Sequence, residues 1–425
     1  MTPDTYSAYI QILQEELVPA LGCTEPIAIA FTAAKARETL GCMPDRMDVG
    51  CSGNIIKNVQ GVVVPNSGGT KGIAIAAILG AVGGRSSDGL EVLSRISPDC
   101  IDKAKELQAA GFCSCSHVKG ISNLYISVTV YAGQEEARVV VSGTHTNIIL
   151  IEKNGETLFE KAAESSAEDP LEKQKELLSV KDIVEFARTV RLEDVEPVIG
   201  RQIEYNSEIS KEGLEHGWGA QVGRTISRYY GNDVKARARA AAAAGSDARM
   251  SGCPLPVVIN SGSGNQGMTV SLPVIEYAKE LKVPHESLVR ALVLSNLISL
   301  LQKRYIGSLS AYCGAVSAAA GAGCGIAFLH GADEKVIEAT LTNTLANVGG
   351  IVCDGAKPSC AAKIASSVDA AIMAFEMCYM SGKEFQPGEG LVKEDIEDTV
   401  RSYGKLGKDG MKSTDEEILE IMLES

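Results

Sequence analysis

From about residue 170 to residue 381 the chain reads almost continuously as helix, and the helices are built from small residues. The stretches VKARARAAAAAGSDARM, AVSAAAGAGCGIAFL and CAAKIASSVDAAIMAFEMCYMSG place alanine, glycine and serine at helical spacing. Side chains this small let helix backbones approach closely, so this part of the chain must pack as a tight helical body. Between 43 and 158 the texture changes. MDVGCSGNIIKNVQGVVVP, NLYISVTVYAG and EARVVVSGTHTNIILIEKNGE are β-branched runs broken by glycine, with KNGE at a hairpin turn. GGTKGIAIAAILGAVGG and CIDKAKELQAAG read as helices between them. The first forty residues read as helix up to Gly41, and VKEDIEDTVRSYGKLGKDGMKSTDEEILEIML closes the chain with one more acidic helix. The expected fold is α+β: a mostly helical domain drawn from both chain ends, 1–42 and 159–425, with an α/β domain, 43–158, inserted into it.

With 425 residues, 45% of them hydrophobic, the chain can bury more than one core. Lysine and arginine number 40 against 54 aspartates and glutamates, a net charge of −14, so a phosphate backbone meets a repulsive field and a nucleic-acid partner is not expected. The N-terminal MTPDTYSAYIQILQEELVPAL carries Asp4, Glu15 and Glu16 and lacks the basic start and apolar core of an export signal. The location expected is cytoplasmic. Apolar runs such as GIAIAAILGAVGG are shorter than the roughly 20 residues needed to cross a bilayer, so no membrane partner is expected either.

Twelve cysteines in such a chain should stay reduced, which argues against disulfides. Cys42, Cys51, Cys100, Cys253, Cys324 and Cys378 sit in apolar or glycine-rich surroundings and read as small core residues. Cys113 and Cys115, followed by His117, could bind zinc, but no second pair answers them and the alternation equally suits a strand edge. Cys313 in SAYCGAVSAAAGAG and the pair Cys353 and Cys360 in CDGAKPSC lie beside glycines and a proline that free the backbone for close approach. Three thiolates there would select zinc or an iron–sulfur centre, and no histidine stands beside them. Inert thiols remain the other reading.

GSGNQG places Gly262, Gly264 and Gly267 in the dinucleotide spacing after the apolar PLPVVIN. The fingerprint needs a βαβ unit, and HESLVRALVLSNLISLLQKRY stands as a helix where the second strand should be. The preferred reading is a helix start at which backbone N–H groups, with Asn265 and Gln266, cradle a carboxylate. The turn in PNSGGTKG, with Ser67 and Thr70, lacks the full phosphate-loop pattern and does not indicate ATP. Lys57 in SGNIIKN has no pyridoxal phosphate cradle around it and reads as an anion-pairing lysine, with Asn54 nearby.

Five ordered motifs together, GCTEP (22–26), SGNIIKN (52–58), GSGNQG (262–267), CG (313–314) and CDGAK…C (353–360), resemble the L-cysteine desulfidase family, relatives of the iron–sulfur L-serine dehydratases. The resemblance implies a lyase with a [4Fe–4S] cluster that converts L-cysteine to pyruvate, ammonia and sulfide. By position it implies Cys313, Cys353 and Cys360 as cluster ligands and Cys23 as the catalytic base, a thiolate favoured by positive charge or a helix start. Asn54, Lys57, Ser67, Thr70, Asn265 and Gln266 are the candidate substrate-binding groups. The partner expected is a small amino acid, with a homo-oligomer allowed. L-serine as substrate, or a non-catalytic metal-binding or redox-sensing protein, are the rival readings.

Overall fold

In a computed structural model, which describes residues 1–161, 170–307 and 309–424, the chain opens with α1 (Pro3–Glu16), a short strand β1 (Pro19–Leu21) and α2 (Thr24–Leu40). There follow β2 (Arg46–Cys51), α3 (Gly53–Gln60), α4 (Ile73–Gly83) and α5 (Pro98–Ala109). Next come β3 (Cys113–His117), β4 (Tyr125–Ala132), β5 (Glu135–Ser142), β6 (Ile148–Lys153) and β7 (Glu156–Glu160). The helical part comprises α6 (Pro170–Lys175), α7 (Val180–Thr189), α8 (Leu192–Glu215), α9 (Val222–Tyr229) and α10 (Val234–Met250). After the strand β8 (Pro256–Val258) it continues with α11 (Gly264–Leu281), α12 (His285–Ile306), α13 (Gly314–Leu329) and α14 (Glu334–Val348). The last elements are α15 (Cys360–Ser381), α16 (Ile396–Lys405) and α17 (Lys412–Glu424). The protein is 61% helical beside a small mixed sheet, so the fold is α+β as the sequence pattern predicts.

The sheet runs β3-β2-β4-β5-β6-β7, with β2 and β3 parallel and every other pair antiparallel. Alternation aims Ile126, Val128 and Val130 of β4 inward, against α2, and leaves Ser127, Thr129 and Tyr131 on the wetter face. The KNGE turn closes β6 to β7 with Asn154 and Gly155 both at positive φ, the backbone that a two-residue hairpin needs. In the helical body the small residues do what their spacing foretells. A Cβ on Gly321 of α13 would lie 2.4 Å from the Ser295 carbonyl oxygen of α12, so glycine is what lets these helices touch.

Three features depart from the sequence reading. The first forty residues are two helices, not one: Pro19 and Gly22, the latter at φ 59, break the run, and β1 pairs antiparallel with β8. Helix α2, grouped by sequence with the helical domain, packs Ile27, Ile29 and Ala34 into the core beneath the sheet, because it is apolar on nearly every face. The acidic C-terminal stretch forms two helices, α16 and α17, joined by a π-turn at Leu406–Gly410. The helix expected over EDPLEKQKELL is seen from Pro170; Glu168 and Asp169 lie outside the described residues.

Candidate active site

Four helices begin at one place. Cys23 precedes α2, Ser263 precedes α11, Cys313 precedes α13, and Cys360 is the first residue of α15. Elsewhere Thr2, Ser97, Ser179 and Asp233 cap their helices with side-chain oxygens, whereas none of these four starts has a side-chain cap. The positive ends of their dipoles favour negative charge between them. Residues from all four starts line a cavity of about 100 Å³, together with Glu25, Arg249 and Lys303.

The local chain explains how each group arrives. The β1–β8 pair brings the N-terminal segment to α11, and Gly22 turns it: a Cβ there would sit 2.0 Å from the Pro65 ring. The Cys23 thiol donates to Glu25 Oε2 at 3.0 Å. Thr24 Oγ1 lies 3.1 Å from the same oxygen, and Asn58 Nδ2 donates to Glu25 Oε1 at 3.1 Å, so the carboxylate is held on both oxygens. Arg249, at the end of α10, is 2% exposed and donates from Nε to the Gly22 carbonyl at 2.8 Å. Room for its guanidinium comes from Gly264, where a Cβ would lie 2.4 Å from Nε.

Cys313 and Cys353 are set side by side by a short antiparallel contact. Cys313 N–H donates to Ile351 O at 2.9 Å and Cys353 N–H to Ala311 O at 2.6 Å. The Cys313 thiol hydrogen-bonds the Cys353 sulfur, which raises Cys313 and, with Lys57 nearby, pushes Cys353 down to about 6. Cys360 packs with Cys23 around Val62 and Met250, and burial raises its thiol. Lys303 is pushed down to about 8 by burial, against the opposing pull of Cys353 and Cys313. Cys23 differs from the thiolate expected of it. It does sit at a helix start, but burial first and the Glu25 charge second hold it well above the usual thiol range, so the proton stays on sulfur facing Glu25.

Of the candidates named from sequence, Cys23, Asn265, Gln266, Cys313, Cys353 and Cys360 share the cavity. Asn265 Oδ1 and Gln266 Oε1 are buried there without a hydrogen-bond partner. The other four are elsewhere. Lys57 and Asn54 both reach Asp415 of α17. Ser67 and Thr70 close on each other: Ser67 Oγ accepts from Thr70 N–H and donates to Thr70 O, both at 2.9 Å. The dinucleotide spacing is not part of a βαβ unit: among the described residues β8 pairs with β1 in a two-stranded sheet, and Gly267 packs against Val258 O. Cys113 and Cys115 lie on the edge strand β3 with sulfurs 3.9 Å apart. Of the expected core cysteines, Cys42 is exposed and Cys100 half-buried, since each lies at the margin of a helix rather than on its packed face.

Glu25, Asn58, Arg249 and Lys303 were not singled out from the sequence. Glu25 and Asn58 stand inside GCTEP and SGNIIKN; Arg249 had the weaker signal of a charge at the end of an alanine run.

The sequence profile of the Serine dehydratase alpha chain family matches residues 87–420. The chain belongs to this family. The serine dehydratase alpha chains are lyases related to the iron–sulfur serine dehydratases. Their profile spans Arg249, Lys303 and the three clustered cysteines but not Cys23 or Glu25. Similar chains occur as UPF0597 proteins: in Lachnoclostridium phytofermentans, 54% identical over 98% of this chain and 100% of that one; in Desulfitobacterium hafniense, 51% identical over 98% and 97%; and in Treponema denticola, 45% identical over 98% and 98%. No helix among the described residues of this family member is long and apolar enough to cross a membrane.

Proposed function

We propose that this serine dehydratase alpha chain relative is a [4Fe–4S]-dependent carbon–sulfur lyase that eliminates sulfide from L-cysteine, leaving pyruvate and ammonia. The carrying observation is the meeting of three thiols, a fourth thiol paired with a carboxylate, and a buried arginine at four uncapped helix starts. Cys313, Cys353 and Cys360 are the ligands of choice. Among the described residues no three His, Cys, Asp or Glu side chains are gathered around a single ion. A cluster takes its thiolates at separate corners, and the Cys313 hydrogen bond and the Lys57 charge favour the thiolate at Cys353. When bound, such a cluster offers a Lewis-acidic iron to the leaving group.

The chain's own groups supply the rest. The Arg249 guanidinium and the α11 start, with Asn265 and Gln266, bind the substrate carboxylate; the two orphaned amide oxygens accept from its ammonium group. Cys23 and Glu25 act as one base. As Cys23 Sγ takes the Cα proton, its own proton passes to Glu25 Oε2, 3.0 Å away, and Asn58 keeps that carboxylate aimed. The same proton can return to the aminoacrylate product. The preference for L-cysteine comes from the GCTEP resemblance; L-serine is the second reading, favoured by the family match over residues 87–420.

Anaerobic purification followed by iron, labile sulfide and absorption measurements tests the cluster. Pyruvate and sulfide release from L-cysteine, with L-serine in parallel, tests the reaction. Brown protein that releases sulfide supports the proposal, pyruvate from serine alone moves it to the second reading, and colourless protein inert to both overturns it.

A further inference from the structure

Lys57 is almost wholly buried, at 2% exposure, yet it belongs to α3 and not to the thiol cavity. Its ammonium group donates to the Asp415 carboxylate of α17 and, at 3.4 Å, to the carbonyl oxygen of Cys353. Asn54, one turn earlier, donates to the other Asp415 oxygen at 2.8 Å. The loop that carries Cys353 and Cys360 lies directly on α3. Gly355, at φ 97, packs so closely on Lys57 that a Cβ would be 2.3 Å from its carbonyl oxygen, and a Cβ on Gly61 would be 3.0 Å from Ala356 O. Helix α17 buries no residue of its own, and it meets α3 through Asp415 and through Leu419, which lies against Gly53.

We propose that Asp415 is a positioning residue for the thiol site: through Lys57 it fixes the backbone at Cys353, so that the C-terminal helix clasps the cysteine loop in its working shape. A buried ammonium that loses its carboxylate is left uncompensated, and it must draw in water or leave its place. Either response releases the Cys353 carbonyl and loosens the chain between Cys353 and Cys360. Cys324, fully buried in α13 with its thiol donating to Ile337 O of α14, serves as the internal control. The proposal takes from the function argued above only that Cys353 serves the site.

The test uses the full chain as Asp415→Asn, with Asp415→Glu as the conservative variant and Lys57→Met as the partner change. In cluster-free protein, alkylation by iodoacetamide is followed at each cysteine by peptide mass spectrometry. In reconstituted protein, iron release to a chelator is timed. Asp415→Asn should speed alkylation at Cys353 by about tenfold with Cys324 unchanged, and speed iron release in step; Asp415→Glu should restore most of the protection, and Lys57→Met, which also removes the charge that favours the Cys353 thiolate, should match Asp415→Asn in iron release and is read by that alone. Equal rates at Cys353 in wild type and Asp415→Asn overturn the proposal. So does an equal rise at Cys324, which marks general loosening instead of a local clasp. Alkylation needs neither cluster nor turnover, so this result stands or falls separately from the lyase assay.

Discussion

Alanine at Gly267 should damage the frame of the site, and the size of the effect can be worked from the contact. The added Cβ would lie 2.0 Å from Val258 O and 2.9 Å from Ile259 Cα. Ordinary contact begins near 3.4 Å, so α11 and β8 must part by up to 3.4 − 2.0 = 1.4 Å. Both neighbours are backbone, and no side chain can rotate aside. Asn206 spans the same gap, donating to Gly267 O at 3.1 Å and accepting from Val258 N–H at 2.9 Å, and it cannot keep both bonds when the gap widens. Overpacking costs about 1–3 kcal/mol and a lost buried hydrogen bond about 1 kcal/mol more, so Gly267→Ala should lose roughly 2–4 kcal/mol. Gly314→Ala is the contrast. Its Cβ would meet Gln266 at 2.5–2.7 Å, but that is a side chain free to swing, so the cost falls on Gln266 and not on the fold. Guanidinium denaturation of anaerobic, cluster-free protein measures the first effect and the KM for substrate the second. A Gly267→Ala protein with the wild-type midpoint, or a Gly314→Ala protein less stable than it, would refute the reasoning.

Three further outcomes are expected. Cys313→Ala, Cys353→Ala and Cys360→Ala should each lose iron and labile sulfide while Cys324→Ala keeps both; a full cluster in the Cys360 variant removes that residue from the ligand set. Glu25→Gln should slow turnover by about 10²–10⁴-fold at unchanged iron content. It should also speed alkylation of Cys23, because the charge that raises the thiol is gone; slower alkylation would contradict the pairing. Asp247 is pushed up by burial to about 6 from its ordinary 3.8, so between those values the folded chain holds a proton that the unfolded chain releases. Stability should therefore fall as pH rises through that window, and Asp247→Asn should flatten the fall in denaturation midpoints.

The two textures of the chain were legible because periodicity is local: β-branched alternation forecast the sheet, and small residues at helical spacing forecast the close helices. Membership of the cavity was legible where a motif carried a rare residue type, as with Cys313, Cys353 and Cys360, or a helix-start signature, as with Asn265 and Gln266. Lys57 and Asn54 looked equally eligible, since short motifs do not reveal that the C-terminal helix brings Asp415 to them. Arg249 escaped notice for the converse reason. Its role depends on the absent side chain of Gly264 and on the Gly22 carbonyl, both distant in sequence. The Cys23 proton was misjudged because a thiol's charge state is set by burial and by Glu25 two residues on, and burial is a property of the folded chain.

The pairing of β1 with β8 also governs when the site can exist. Pro19 meets Val258 only after residue 258 has left the ribosome, and Cys313, Cys353 and Cys360 emerge later still. Until then Cys23 lacks Cys360, one of the residues that pack around it, and closing so long a loop is costly. The sheet, by contrast, is complete by residue 160 and can form early. Synthesis from the N-terminus therefore yields a sheet-bearing half first and the thiol chamber later, so the cavity thiols Cys23, Cys313, Cys353 and Cys360 meet only after Cys360 has been made.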